Sequence, residues 1–125
     1  MSPEKMASLL QEFPDLYSHD SFKRYGLSCG DGWYLILRQL SKKISSLDSQ
    51  ARAIQVKNKF GGLRYYLEFG PGAAFSTSSP SYEAIRQAIG EAEDQSFITC
   101  EICGAPGDNQ GMRIRCSQHI NDFPG

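Results

Sequence analysis

The sequence predicts an α+β fold, with three helices packed on a β-hairpin or small antiparallel sheet and a C-terminal pair of zinc knuckles of the zinc-ribbon or treble-clef type. Three observations predict it: three segments with helical apolar spacing, two strand-like segments that meet at Gly61-Gly62, and four soft metal ligands near the C-terminus. At 125 residues the chain is long enough for one modest core. We expect a single domain over 1–125, with an α+β core (1–97), a zinc-binding subregion (98–119) and a tail (120–125).

Two helices are predicted in the first part of the chain. Ser2-Pro3 is a favoured helix start, and an apolar stripe follows it. Its members are Met6, Leu9, Leu10 and Phe13. The second helix follows Asp31, whose carboxylate suits an N-cap, and has apolar residues at alternating spacings of four and three. They are Trp33, Leu37, Leu40, Ile44 and Leu47. This is the most regular helix pattern in the chain, so we expect it to form the centre of the core.

Residues 53–69 are predicted to form a β-hairpin with Gly61-Gly62 as its two-residue turn. In that register one face is apolar except for Asn58. Its pairs are Phe60–Leu63, Asn58–Tyr65, Val56–Leu67 and Ile54–Phe69. The other face places Lys59 opposite Arg64 and Lys57 opposite Tyr66. Like charges directly opposed destabilise a hairpin by up to about 1 kcal/mol.

The middle of the chain is strongly basic. Residues 38–64 hold seven basic residues and one acidic residue, although the whole chain has a net charge of −1. This favours one basic face, which either is simply solvated or meets an acidic surface, on a partner or on this chain's own acidic half. We select Lys57, Lys59, Arg64 and Tyr66 as candidate partner-binding residues.

A third helix is predicted after a loop. Residues 70–79 are rich in Gly, Ser and Pro and predict the loop, and Ser79-Pro80 repeats the favoured helix start. The apolar residues that follow have helical spacing: Tyr82, Ile85, Ile89 and Ala92.

The sharpest chemical pattern is Cys-x2-Cys, a twelve-residue gap and Cys-x2-His, formed by Cys100, Cys103, Cys116 and His119. Two tight turns can point these side chains at one ion, and Zn²⁺ takes four nitrogen or sulfur ligands tetrahedrally. Because four protein ligands leave no open position for water or substrate, the pattern indicates a structural zinc site. His119 is the expected fourth ligand, and Cys29 is the alternative; otherwise Cys29 is interpreted as a small buried apolar residue.

Several function classes lack support. No apolar stretch approaches the roughly 18 residues that span a bilayer, and the N-terminus does not resemble a signal peptide. We therefore expect a cytoplasmic protein with no membrane association and with reduced thiols. The sequence contains no phosphate-binding loop, no His-Glu-x2-His and no Gly-x-Ser-x-Gly. We predict that the protein is not an enzyme.

Three segments carry a family resemblance: Cys-Gly-Asp-Gly-Trp-Tyr (29–34), Val-Lys-Asn-Lys-Phe-Gly-Gly-Leu-Arg-Tyr-Tyr (56–66) and Cys-Glu-Ile-Cys-Gly-Ala-Pro-Gly (100–107). Together they resemble a family of small bacterial, prophage and phage proteins with GDGW, VKxKFGGLRFY-type and CxxCG motifs. The resemblance covers roughly residues 26–119 and implies a biological context without a mechanism. Members of that family more often close the second knuckle with Cys, where this chain has His119.

These observations favour a non-enzymatic, zinc-stabilised binding protein. The resemblance implies the context of a phage or mobile element, and our hypothesis is an accessory factor that acts by protein–protein interaction, for example by inhibiting a host defence or regulatory protein. The alternative is a zinc-finger protein that binds nucleic acid, since residues 38–64 mix basic and aromatic side chains. A sequence pI of about 6.1 counts against this alternative, because phosphate-driven affinity normally requires a strongly basic domain.

Overall fold

The structure is a computed structural model that describes residues 1–70 and 80–121. Most of the predicted loop (71–79) and the end of the predicted tail (122–125) lie outside the described residues. The elements are α1 (Pro3–Glu12), α2 (Asp20–Tyr25), β1 (Leu27–Ser28), a 3-10 turn (Asp31–Trp33), α3 (Tyr34–Leu47), β2 (Arg52–Lys59), β3 (Gly62–Glu68), α4 (Pro80–Ser96), β4 (Asp108–Asn109) and β5 (Ile114–Arg115). The predicted α+β class is confirmed. Among the described residues, no helix has both the length and the apolar character that crossing a membrane requires.

The number of helices and the position at which one of them begins differ from the prediction. The described residues form four α-helices instead of three, because α2 was not predicted. This helix has only six residues, too few to show an apolar period, and His19 caps it by accepting a hydrogen bond at Nδ1 from the Ser21 N–H (3.0 Å). The predicted N-cap role of Asp31 is wrong. Asp31 begins the 3-10 turn, and its carboxylate accepts a hydrogen bond from the Ser2 N–H at 2.7 Å.

The main sheet has three strands in the order β1-β2-β3, so the predicted hairpin is extended by one strand. The hairpin β2–β3 is antiparallel as predicted, but β1 adds a short parallel strand, with Leu27 beside Val56. A two-residue strand lies below the length at which alternation can be recognised in a sequence, so β1 could not be predicted.

The predicted hairpin register is wrong by two residues along β3. The turn is Phe60-Gly61, so that Lys59 pairs with Gly62 and Lys57 pairs with Arg64. Gly62 is needed in the strand, because a Cβ there would lie 2.2 Å from the ring of Phe97. A register shift by an even number of residues keeps each side chain on its predicted face. It changes the pair of directly opposed cations from the predicted Lys59–Arg64 to Lys57–Arg64.

A register irregularity between Ala53 and Gln55 changes which residue of β2 faces the core. Ala53 is fully buried and pairs with Leu67, whereas Ile54 is only half-buried. A β-bulge inserts one residue into a strand and reverses the alternation beyond it. This is why strict alternation, which predicted Ile54 on the apolar face, fails at the start of β2.

The core is centred on α3, as predicted. Trp33, Leu37 and Ile44 are fully buried. Helix α4 packs on α3 and also covers the free edge of β3. There the N–H groups of Leu63 and Tyr65 donate to Ser96 Oγ (2.9 Å) and to a Glu93 carboxylate oxygen (3.2 Å). Side chains of α4 thereby satisfy edge groups that would otherwise be open to strand addition.

Candidate metal centre

The four predicted metal ligands lie together. One ligand atom from each of Cys100, Cys103, Cys116 and His119 falls within 4.8 Å of the others, so the cluster could hold a metal ion. The Cys103 and Cys116 sulfurs are 3.7 Å apart, and His119 Nδ1 lies 3.8 Å from Cys100 Sγ and 3.2 Å from Cys116 Sγ. All three thiols are free of disulfides.

Three of the six separations between the ligand atoms are close to the edges of a tetrahedral site, and all six are at most 4.8 Å. Zinc bonds of about 2.3 Å to sulfur and about 2.0–2.1 Å to nitrogen place two sulfurs about 3.8 Å apart and a sulfur and a nitrogen about 3.6 Å apart. The observed sulfur–sulfur distance of 3.7 Å and sulfur–nitrogen distances of 3.2 and 3.8 Å lie around these values. The donor set and its spacing therefore fit a four-coordinate metal.

The geometry favours His119 over Cys29 as the fourth ligand. Cys29 is not a member of the cluster and is buried in the hydrophobic core. Burial, with the nearby negative charge of Glu101, raises the pKa of the Cys29 thiol to about 12. Since a metal binds the thiolate, a thiol that resists ionisation is a poor ligand.

The first metal-binding turn (Cys100–Cys103) is closed by backbone hydrogen bonds. The Gly104 N–H donates to the Cys100 carbonyl, and the Cys100 N–H donates to the Ala105 carbonyl, both at 2.8 Å. Gly104 has φ of +83°, a conformation that L-residues rarely adopt. This explains why glycine follows the first Cys pair.

A short hairpin separates the two turns. Strands β4 and β5 are antiparallel, with Asp108 opposite Arg115, and Cys116 follows directly after β5. The second metal-binding turn (Cys116–His119) is closed by the His119 N–H, which donates to the Cys116 carbonyl at 3.1 Å. The twelve-residue gap between the ligand pairs is thus largely occupied by a hairpin that brings both pairs to the same place.

Backbone N–H groups favour the thiolate form of Cys100, which is the form that binds a cation. Burial alone would raise the pKa of this thiol, but backbone N–H groups of Cys103, Cys116 and Ile102 outweigh burial and lower the pKa to about 6. At Cys116 burial is likewise outweighed, mainly by hydrogen bonding with His119, and the pKa is lowered. N–H groups directed at sulfur favour the thiolate, which is the form that binds metal.

Glu101, between the first two cysteines, joins three parts of the chain. One carboxylate oxygen accepts from the Gly30 N–H at 2.9 Å, and the other accepts from Asn58 Nδ2 at 2.6 Å. Arg115, whose side chain is only 2% exposed, places Nη1 3.8 Å from the latter oxygen. A single carboxylate therefore links the Gly-Asp-Gly-Trp segment, strand β2 and strand β5.

The backbone of the metal site docks equally closely on the start of α3. The Gly32 N–H donates to the Glu101 carbonyl at 2.8 Å, and Trp33 Nε1 donates to the Thr99 carbonyl at 3.0 Å. A Cβ on Gly32 would lie 2.0 Å from the Cys100 carbonyl oxygen, and one on Gly30 would lie 2.3 Å from the Glu101 carbonyl oxygen. The glycines around Asp31 allow this close contact, which the local sequence pattern did not indicate.

Two glycine substitutions should therefore have opposite effects. Gly32→Ala should destabilise the protein by about 1–3 kcal/mol, because its Cβ meets backbone that cannot move aside. Gly90→Ala should stabilise it by about 0.5–1 kcal/mol, because Gly90 lies inside α4 and, apart from its neighbours and the backbone of its own helix, no described atom is within 4 Å of its Cβ position. Urea unfolding of both variants measures the two changes, and a neutral Gly32→Ala variant would refute the docking role.

The predicted partner-binding residues lie along β2 and β3. Lys57 Nζ sits 5.7 Å from the centre of the Tyr66 ring, and Lys57 pairs with Arg64 across the strands. Arg64 Nη1 also lies 3.5 Å from a carboxylate oxygen of Glu93, so this chain supplies part of the acidic surface that the cations could meet. Lys59 lies at the end of β2, with Nζ 5.7 Å from the Phe60 ring. Their role in partner binding stays a prediction.

Comparisons of this chain with protein-family models, with curated proteins and with solved structures found no match. Two features of the chain's own geometry bear on its function. They are the Cys/His cluster, which could hold a metal, and the basic and aromatic surface of the hairpin.

Proposed function

We propose that this chain is a non-enzymatic binding protein, stabilised by a structural zinc ion, that contacts an acidic protein surface through its basic-aromatic face. This face comprises Lys57, Lys59, Arg64 and Tyr66. The observation that carries the proposal is the concentration of three cations and an aromatic ring on the outer side of a hairpin whose inner side is core.

Zinc is the metal that suits this donor set best. Three thiolates and one imidazole at tetrahedral spacing are typical of zinc, which has no preference for planar or octahedral geometry. With Cys100, Cys103, Cys116 and His119 as ligands, all four positions are taken by the protein. Such a site stabilises the fold and does not activate water or substrate.

The basic-aromatic face is suited to an acidic partner. Lys57 and Arg64 lie directly across the strands, an arrangement that destabilises a hairpin unless counter-charges are present. Glu93 already provides one carboxylate beside Arg64. A partner carboxylate near Lys57 would complete the neutralisation, and electrostatic complementarity of this kind increases association rate and specificity.

The family resemblance suggests the setting in which such binding would matter. Small bacterial, prophage and phage proteins with these motifs fit an accessory factor that occupies the surface of a host defence or regulatory protein. The absence of a recognisable catalytic motif in the sequence agrees with inhibition by occupancy.

Charge reversal tests the proposal. The chain is used to capture proteins from a bacterial lysate, and a captured protein is identified, purified and titrated against the variants by calorimetry. Lys57→Glu should weaken binding about tenfold or more, equivalent to about 1.4 kcal/mol. The matched control is Lys42→Glu, the same charge change at an exposed position of α3, which should leave affinity unchanged. Equal affinities for Lys57→Glu and the unaltered chain would refute the basic-aromatic face.

Nucleic-acid binding is the second candidate, because two lysines lie over exposed aromatic rings, Lys57 over Tyr66 and Lys59 over Phe60. Stacked bases and neighbouring phosphates are recognised by such pairs. Fluorescence anisotropy with a labelled single-stranded oligonucleotide tests it. Binding through phosphates should fall steeply between about 50 and 200 mM salt, whereas weak binding that does not change with salt would exclude it.

A further inference from the structure

Two hairpin turns of this protein are built alike. The first turn, Phe60-Gly61, joins β2 to β3 and has φ of +57° and +95° at its two residues. The second turn, Gly111-Met112, lies between β4 and β5 and has φ of +69° and +65°. It is closed by the Gln110 N–H, which donates to the Arg113 carbonyl at 2.6 Å. Positive φ at both central residues is what a type I′ hairpin turn requires.

An asparagine side chain braces each turn in the same way. Asn58 Oδ1 accepts from the Gly61 N–H, and Asn109 Oδ1 accepts from the Met112 N–H, both at 3.0 Å. In each case the asparagine lies three residues before the donor. The two turns therefore hold their unfavourable backbone conformation with the same device.

Each turn contains one residue that its conformation disfavours. Type I′ turns favour Asn, Asp or Gly, yet here Phe60 and Met112 take left-handed φ values. Core packing does not account for them, because Phe60 is 67% exposed and Met112 is 64% exposed. Packing of Phe97 against Gly62 explains where the first turn lies but not why its strained position carries an exposed Phe, and strain of this kind is typical of functional sites.

The two turns are also in contact. A Cβ on Gly61 would lie 2.8 Å from the carbonyl carbon of Met112, so the backbones of the turns touch. Phe60 and Met112 therefore project from adjoining turns of two separate hairpins. We refer to these two side chains as the tip pair.

The geometry points to the tip pair as the apolar anchors of the interaction, entering a pocket on the partner that is lined by apolar side chains and rimmed by carboxylates. This inference rests on the proposed function and specifies which residues insert and what they meet. Lys59, whose Nζ lies 5.7 Å from the Phe60 ring centre, provides the cation for the acidic rim. Interfaces typically place aromatic and Met anchors at the centre and charges around them.

A protein pocket fits the tip pair better than a nucleic acid does. Phe60 could stack on a base, but Met112 has no ring and its flexible thioether suits an irregular apolar pocket. The turn conformation fixes the backbone that carries both exposed side chains before binding, which lowers the backbone entropy lost on association. The positive φ values of Phe60 and Met112 thus lower the stability of the fold, and the same turns expose two apolar side chains.

Stability measurements test the strain independently of any partner. Phe60→Asn creates an Asn-Gly turn, and Met112→Asn creates a Gly-Asn turn, both better suited to positive φ. Each should raise the Tm by about 2–6 °C. The control Leu35→Gln removes a similarly exposed apolar side chain (65% exposed) from α3 and should not raise it. If neither asparagine variant is more stable than the unaltered chain, the inference is overturned.

Binding measurements test the anchoring role. The probe is the protein captured with the unaltered chain, purified and titrated against Phe60→Asn/Met112→Asn, Lys57→Glu and Leu35→Gln. We expect at least about a 30-fold loss of affinity for the double variant and no loss for Leu35→Gln. If Lys57→Glu loses affinity and the double asparagine variant does not, the anchoring role of the tip pair is overturned and the proposed function still holds. If neither variant loses affinity, or if no protein is captured, both the anchoring role and the proposed function are overturned. Oligonucleotide binding that disappears in Phe60→Asn would instead assign the tip to nucleic acid.

Discussion

Replacing Cys100 with Ser should remove the metal and unfold the C-terminal part of the protein. Cys100 is fully buried, and its carbonyl and N–H groups also close the first metal-binding turn. A structural zinc ion contributes roughly 10–16 kcal/mol to the folding of small zinc-binding peptides. We therefore expect Cys100→Ser to lower the free energy of unfolding by about 5 kcal/mol or more, measured by urea unfolding, and to reduce bound zinc, measured by elemental analysis, to well below one ion per chain.

Cys29→Ser is the matched control for this experiment. Cys29 is also buried, so the same change tests the effect of a hydroxyl in the interior, but Cys29 lies outside the metal cluster. The variant should lose some stability and keep one zinc ion per chain. His119→Ala should release zinc at a lower chelator concentration than the unaltered chain. Loss of metal from Cys29→Ser would contradict the assignment of the four ligands. So would an unaltered chain that contains no metal and stays equally stable in chelator.

Glu101→Ala should be the second most damaging substitution. It removes the acceptor for Gly30 and Asn58 and the carboxylate beside buried Arg115. Leaving a donor in the interior without its acceptor costs about 1–3 kcal/mol, and Glu101 accepts from two such donors, the Gly30 N–H and Asn58 Nδ2. We expect a loss of that size in urea unfolding, together with weaker zinc retention, since Glu101 lies within the first metal-binding turn.

Glu12→Ala provides the comparison. Glu12 also pairs with an arginine, and its two hydrogen bonds to Arg38 are short, both 2.9 Å. The side chains of this pair are 38% and 43% exposed, whereas those of Glu101 and Arg115 are 13% and 2% exposed. Exposed pairs contribute about 0–1 kcal/mol, so Glu12→Ala should be nearly neutral despite its shorter contacts. A larger loss for Glu12→Ala than for Glu101→Ala would show that burial does not decide the outcome.

The parts of this structure that the sequence predicts well are those with a repeating pattern or a fixed spacing. Helix α3 is predicted as the core helix because its apolar residues recur at helical intervals, and in the structure its Leu37 and Ile44 are fully buried. The metal cluster was predicted because two close ligand pairs can only meet if each forms a tight turn. In both cases the chemistry that specifies the structure is local.

The parts that the sequence did not predict depend on contacts between distant segments. The hairpin turn is Phe60-Gly61 instead of Gly61-Gly62 although Phe is disfavoured there, since Asn58 braces the turn and Phe97 needs the space at Gly62. The linking role of Glu101 was missed for the same reason. No spacing rule connects it to Gly30, which precedes it by 71 residues.

The position of Glu101 also has a consequence for the order of folding. Its side-chain contacts with Gly30 and Asn58 span 71 and 43 residues, and contacts of such long range form late because closing long loops is entropically costly. The four ligands, by contrast, lie within 20 residues of one another, between Cys100 and His119. The metal-binding turns can therefore assemble on an ion before they dock on the rest of the chain. A stopped-flow experiment with zinc added during refolding should separate a fast ligation phase from a slower docking phase, which the fluorescence of Trp33 reports.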